Sequence, residues 1–173
     1  MISLKGMHNW IFFRNSYPPE FHSYKHFMKN VLKLYKPKKI LEWGTGNSTL
    51  LMSETLPDSE IHTIEGDRRW MLRWILSKKM SKSNNIFIHY IPVESDEYEN
   101  LSMFPDESFD FVFCDGLKKD KCLLQSSRLV KKDGYIMTHD LNYKNIGEIV
   151  KKNFNIVEMR MDIITALMKK KKR

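Results

Sequence analysis

Five carboxylates and one histidine stand at or just past the ends of apolar runs, where side chains can converge on a ligand. Glu42 precedes a turn reading Gly44-Thr45-Gly46-Asn47-Ser48, and Glu65 closes the run 61–65, 21 residues after Gly44. Glu94 follows the run 86–91, Asp115 closes 109–115, and His139-Asp140 follows 135–138. Two glycines so close to a strand end allow a tight turn and let a ligand reach the backbone without a β-carbon in the way. Thr49 stands where a dinucleotide fingerprint has its third glycine, and no Gly-Lys-Ser/Thr follows the turn. A carboxylate at Glu42 would repel a pyrophosphate and would suit a ligand end that carries an ammonium group; the alternative is that it only braces the loop. Glu65 offers acceptors for ribose hydroxyls at the spacing used in adenosine-cofactor folds, or pairs with Arg68 or Arg69. Asp115, His139 and Asp140 together could take a proton from a hydroxyl, with His139 as the natural general base. The other role open to His139 is a histidine bonded to backbone behind the site.

These groups need a scaffold that brings strand ends together. Apolar residues at helical spacing over 21–36 (Phe21, Tyr24, Phe27, Met28, Val31, Leu32, Tyr35) predict a helix stopped by Pro37. Short apolar strands at 39–43, 61–65, 86–91, 109–115 and 135–138 alternate with helical stretches at 48–56, 67–78, 118–130 and 144–153. Ser48 or Asn47 is expected to cap the first of these, and Gly134 to supply a left-handed turn. The polar stretch 92–107 shows little regular pattern. Two closing strands, 156–159 and 163–168, lack a helix between them, so one should run antiparallel. Strand–helix alternation of this kind predicts an α/β fold: a mostly parallel sheet of six to seven strands with helices on both faces. Such sheets bind ligands beyond the carboxyl ends of their strands.

The chain of 173 residues fits a single domain (1–173), with an N-terminal region, 1–36, and a basic tail, 169–173. With 42% hydrophobic and 29% charged residues it has the balance of a globular protein. No apolar run approaches the about 20 residues that span a bilayer, and a cytoplasmic location is expected. The net charge of +8 points first to nucleic acid, but five positive charges form the run 169–173, leaving +3 on the rest. That tail is expected to be solvated, and a nucleic-acid partner is not. Cys114 and Cys122 lack metal-ligand spacing and are expected to be buried, reduced thiols.

The segment 40–50, Ile-Leu-Glu-Trp-Gly-Thr-Gly-Asn-Ser-Thr-Leu, resembles motif I of the class I S-adenosylmethionine (SAM)-dependent methyltransferases, in the branch with a Glu-x-Gly-x-Gly-x-Ser-Thr loop. Residues 63–70 resemble that branch's second-strand motif, 109–116 its fourth-strand motif and 134–140 its fifth-strand motif, all in order over about residues 38–145. The resemblance implies a Rossmann-like fold and SAM as cofactor. It places Glu42, Gly44, Thr45, Gly46, Asn47 and Ser48 at the methionine end, Glu65 and Gly66 at the ribose, and Val93-Glu94-Ser95 beside adenine. Asp115 would lie near the transferred methyl. Trp70 would cover adenine or ribose or pack in the core, and Trp43 would pack.

Asp115, His139 and Asp140 are then the implied catalytic residues. Asp115 and Asp140 also resemble the strand-end acids that hold magnesium in the catechol-type O-methyltransferases; here Leu141 stands where those enzymes have Asn. Cys114-Asp115-Gly116 with Lys118 and Lys119, and Thr138-His139-Asp140 with Tyr143, are most similar to small methyltransferases of sugars and polysaccharides. The expected reaction is O-methylation of a hydroxyl on a sugar, a glycan or another small polar molecule, in a monomer or a homodimer. The alternatives are RNA or other nucleic-acid methylation and a non-catalytic SAM-fold binding subunit. The aromatic segment 10–19 is expected to cover the acceptor.

Overall fold

In the computed structural model, residues 20–76 and 82–171 are described. The segment 10–19 therefore lies outside the described residues.

Helix α1 (Glu20–Tyr35) leads into strand β1 (Lys39–Trp43). Its buried stripe of Tyr24, Phe27, Met28, Val31 and Leu32 has the 3-4 spacing of a helix packed on one side. The helix stops where Lys36 takes a left-handed conformation (φ 45°) ahead of Pro37. Five strand–helix pairs follow from there. These are α2 (Asn47–Thr55) after β1, then β2 (Glu60–Glu65) with α3 (Arg68–Ile75) and β3 (Ile86–Tyr90) with α4 (Glu97–Asn100). Next come β4 (Phe109–Cys114) with α5 (Lys119–Leu129), and β5 (Val130–His139) with α6 (Ile146–Asn153). Strands β6 (Phe154–Arg160) and β7 (Thr165–Lys170) close the chain.

The seven strands order as β3-β2-β1-β4-β5-β7-β6, parallel except for β7, which lies antiparallel between β5 and β6. Residues alternate between two cores. Leu41, Trp43, Val112, Cys114 and Ile136 face α5 and α6, whereas Ile40, Phe111, Phe113 and Met137 face α1 and α2. Both faces of the central strands are thus covered, which is why stretches such as 111–114 read as apolar runs. The order reverses between β1 and β4, so the loops after these two strands diverge and leave a crevice.

Two expectations are corrected. Gly134 is not a left-handed turn: it lies within β5, where the register against β4 slips between Phe109 and Phe111. A β-carbon there would come within 2.6 Å of Val130 Cγ2 and 2.8 Å of Asp110 O, so glycine serves close approach. Gly134→Ala is expected to cost about 1–3 kcal/mol of stability, as overpacking does, measured by urea unfolding; an unchanged midpoint would show that the bulge yields freely. The basic tail, too, is only partly a tail. Lys169 and Lys170 pair in β7 with Asn155 and Phe154. Lys169 Nζ sits 4.4 Å above the Tyr135 ring, and Lys170 Nζ bonds Glu107 (2.6 Å) and the Val130 carbonyl (2.9 Å). Long basic side chains can hold a strand and still keep their charge at the surface.

Among the described residues no helix is long and apolar enough to cross a membrane.

Candidate active site

The β1 loop is built by contact with its neighbour. Gly44 has φ 97°, and a β-carbon on it would meet Asp115 O and Gly116 Cα, both at 3.1 Å. One on Gly116 would meet Tyr98 Oη at 2.8 Å and the Trp43 carbonyl carbon at 2.9 Å. The two glycines let the turns after β1 and β4 touch back to back. Beyond that contact the chain opens into a cavity of about 670 Å³, within the range of small-molecule and cofactor sites. Gly44, Thr45, Gly46, Asn47, Ser48, Glu65 and Trp70 form one wall, with Asp115, Lys119, Asp140 and Tyr143 among the residues opposite.

Glu42 is fully buried and lies off the cavity wall. Its carboxyl oxygens accept from the hydroxyls of Ser48 and Thr49 in the first turn of α2. Burial raises its pKa to about 8, against the opposing pull of those hydroxyls. Ser48 and Asn47 are therefore not the caps of α2. Gly46 is the cap, and its N–H donates to Thr49 Oγ1 at 2.8 Å. Glu65 Oε2 accepts from Thr45 N (3.0 Å) and Oε1 from Asp67 N (2.9 Å), so one carboxylate ties the β1 and β2 loops together at the cavity edge. It does not pair with Arg68 or Arg69. Trp70 donates from Nε1 to Thr45 O at 2.6 Å and lines the cavity. Asp67 caps its helix, accepting from Arg69 N and Trp70 N. Trp43 is packing, as expected, with Nε1 donating to Tyr98 O at 2.8 Å.

Of the remaining expected cofactor contacts, Gly66 and Glu94 lie off the wall. A β-carbon at Gly66 would meet Tyr98 Cε2 at 2.9 Å, so its role is to admit that ring, and Glu94 is exposed. Tyr98 supplies what the sequence did not show: it is buried, lines the cavity, and its hydroxyl accepts from Leu117 N at 3.1 Å.

Opposite, Asp115 and Asp140 face the cavity, and His139 lies behind them, its ring 4.5 Å from that of Tyr24. His139 Nδ1 is 2.9 Å from Asp140 Oδ1, while Nε2 is buried with no partner among the described residues. Lys119 Nζ donates to Asp115 Oδ1 (2.9 Å), Asp140 Oδ2 (2.9 Å) and His139 O (3.1 Å). The two aspartates respond in opposite directions. The hydrogen bond from His139, with Lys119, holds Asp140 well below the usual carboxylate range. Asp115 is more deeply buried, which pushes it above that range despite the same lysine. His139 Nδ1 is thus the nitrogen that donates toward the Asp140 carboxylate. Asp140 itself sits at φ 60°, in the left-handed region that aspartate and asparagine enter more readily than most residues.

Cys114 and Cys122 are free and buried, and burial pushes the Cys114 thiol up to about 12. Neither is a nucleophile at neutral pH.

No protein-family model matches the sequence, and no curated protein matches it. Solved structures do. An O-methyltransferase from Bacillus cereus in complex with S-adenosylhomocysteine (SAH) superimposes with a TM-score of 0.68 at 14% identity, over 91% of this chain and 84% of that one. The chain has the fold of the class I SAM-dependent methyltransferases. The SAH-bound methyltransferase of Podospora anserina gives a TM-score of 0.64 at 19% identity, covering 99% of this chain and 89% of that one. The N-methyltransferase NodS from Bradyrhizobium japonicum gives 0.61 at 12%, over 88% and 97%. O- and N-methyltransferases share this methyltransferase fold, so the acceptor must be argued from the site itself.

Proposed function

We propose that the protein is a SAM-dependent methyltransferase that O-methylates a hydroxyl of a sugar or another small polar molecule. The observation that carries this reading is the cavity at the sheet's switch point, with a glycine loop and Glu65 on one wall and the Asp115–Lys119–Asp140 cluster on the other. The residues present fit the cofactor. Gly46 lines the cavity, with an added β-carbon meeting only Trp74 at an ordinary contact distance of 3.9 Å, and Glu65 presents a carboxylate at the edge where ribose hydroxyls would bond. Glu42 acts through Ser48 and Thr49, shaping the loop at the methionine end.

SAM supplies a methyl group on a sulfonium, already activated for displacement. The chain's part is to align the acceptor and receive its proton. Asp140 reaches the cavity and accepts the hydroxyl's hydrogen bond and then its proton; His139 behind it donates through Nδ1 and keeps that carboxylate aimed. Tyr143, half exposed on the same wall, and Asp115 bracket the acceptor. The polar lining of this side favours a hydroxylated small molecule over a duplex or a peptide. A cytoplasmic site of action is part of the proposal, supported by the two unpaired thiols.

The test has two arms. Calorimetry with SAM and SAH should give one site per chain, and absence of binding would make the protein a non-catalytic member of the fold. Transfer of labelled methyl should then mark nucleotide sugars, glycans or catechols; label confined to protein or nucleic acid would overturn the acceptor class.

A further inference from the structure

One carboxylate oxygen each from Asp115 and Asp140, with a ring nitrogen of His139, lie within 4.8 Å of one another, a spacing that could gather around a divalent ion. The middle of that group is already taken by charge. The Lys119 ammonium stands 2.9 Å from Asp115 Oδ1 and 2.9 Å from Asp140 Oδ2, and its third hydrogen reaches the His139 carbonyl at 3.1 Å. An ammonium has three donors and all are used. The side chain is 6% exposed, so the charge cannot swing into water without unpacking the first turn of α5. The third residue is engaged as well, since His139 Nδ1 faces Asp140 Oδ1 at 2.9 Å. A divalent ion held between the two carboxylates would sit directly against the ammonium. The residues present do not fit magnesium.

We propose that Lys119 is the resident cation of this site, filling with an ammonium the place a divalent ion would take and making the site independent of metal. Its role is positioning. It draws Asp115, four residues earlier on the β4 loop, toward Asp140 at the end of β5, bridging the two central strands. It also holds Oδ2 of Asp140 while His139 holds Oδ1, which keeps that aspartate in its left-handed conformation. Two carboxylates this close, without an ammonium between them, would repel each other and would attract any available cation. The site therefore holds a latent metal position that the lysine keeps closed.

Manganese, titrated into the full chain and followed by electron paramagnetic resonance, tests this without reference to turnover. The wild type should leave Mn²⁺ free. Lys119→Gln should bind one Mn²⁺ per chain at an affinity at least about tenfold above wild type, since an uncompensated pair of partly buried carboxylates attracts a divalent cation. Adding Asp140→Asn should abolish that binding. A lysine that only supported the fold would give no such gain. A wild type that binds Mn²⁺ and loses it on Asp140→Asn overturns the proposal, as does a Lys119→Gln variant with native circular dichroism and no gain. If Lys119→Gln does not fold, the wild-type and Asp140→Asn titrations still decide. The metal arm stands apart from the methyltransferase reading, on which only a second arm rests, SAH calorimetry after chelation. SAH binding that needs metal overturns the Lys119 assignment; SAH binding absent with or without metal overturns the methyltransferase reading instead.

Discussion

Glu65→Ala is expected to weaken SAH binding by about 100-fold or more, read by calorimetry. Its carboxylate makes two charge-assisted bonds that fix the loops, to Thr45 N at 3.0 Å and Asp67 N at 2.9 Å. In the proposed complex the same group also receives the ribose hydroxyls. Hydrogen bonds to a charged group contribute about 1.5–3 kcal/mol each, and about 1.4 kcal/mol is tenfold in affinity. Losing two such contacts at once therefore exceeds any effect of simple side-chain trimming. Glu65→Gln should be nearly as damaging, because its amide would point N–H groups at a backbone N–H. Thermal unfolding of the free protein separates the two contributions: a small shift in Tm with a large loss of affinity places the effect in binding. A loss below tenfold would remove Glu65 from the cofactor site.

Glu42→Gln should make the protein more stable in alkaline solution. The folded-state carboxyl, fully buried, keeps its proton up to about 8, whereas in the unfolded chain it ionises near 4.5. Between those values the unfolded state binds fewer protons, so wild-type stability falls as pH rises from about 4.5 to about 8, and levels off above. Glutamine presents a neutral group of the same shape to Ser48 and Thr49 and removes that slope. Each tenfold difference in proton affinity between the folded and unfolded chain is worth about 1.4 kcal/mol. The gain from glutamine at pH above 8 therefore amounts to several kcal/mol, and at pH below 5 it vanishes. Urea titrations at the two extremes measure it. Parallel stability profiles for wild type and variant would mean that Glu42 ionises freely in the fold.

The architecture was legible because parallel strands buried on both faces cannot avoid long apolar runs, and 109–114 is such a run. Asp115 was legible for the same reason, as the first polar residue after its run, whereas Glu42 lies inside β1 ahead of Trp43 and Asp140 follows His139. What escaped depended on distance in the fold. Tyr98 lies in a helix of four residues, too short to show a period, yet it sits under both Gly66 and Gly116. Tyr24 reads as one more apolar position on the α1 stripe, and nothing local shows that its ring meets His139. Lys119 is visible from Asp115 as an i,i+4 neighbour, but its second carboxylate comes from a strand 21 residues further on. Charged Lys169 and Lys170 concealed the end of β7, because strand period is read from apolar residues. Glu42 is plain as a carboxylate at the loop; its burial behind Ser48 and Thr49 depends on how α2 folds back over the end of β1.

The indole of Trp70, clamped to the loop through Thr45, gives the protein an optical handle. It is the tryptophan on the cavity wall among the described residues, with its ring 6.2 Å from that of Trp74 and with Arg73 above it at 5.6 Å. A purine arriving beside it would quench its emission, and excitation would pass readily from Trp74 to the quenched ring. Trp43, sealed in the core, would supply a steady blue background against which that change is read. Cofactor occupancy can thus be followed in unlabelled protein by its own light.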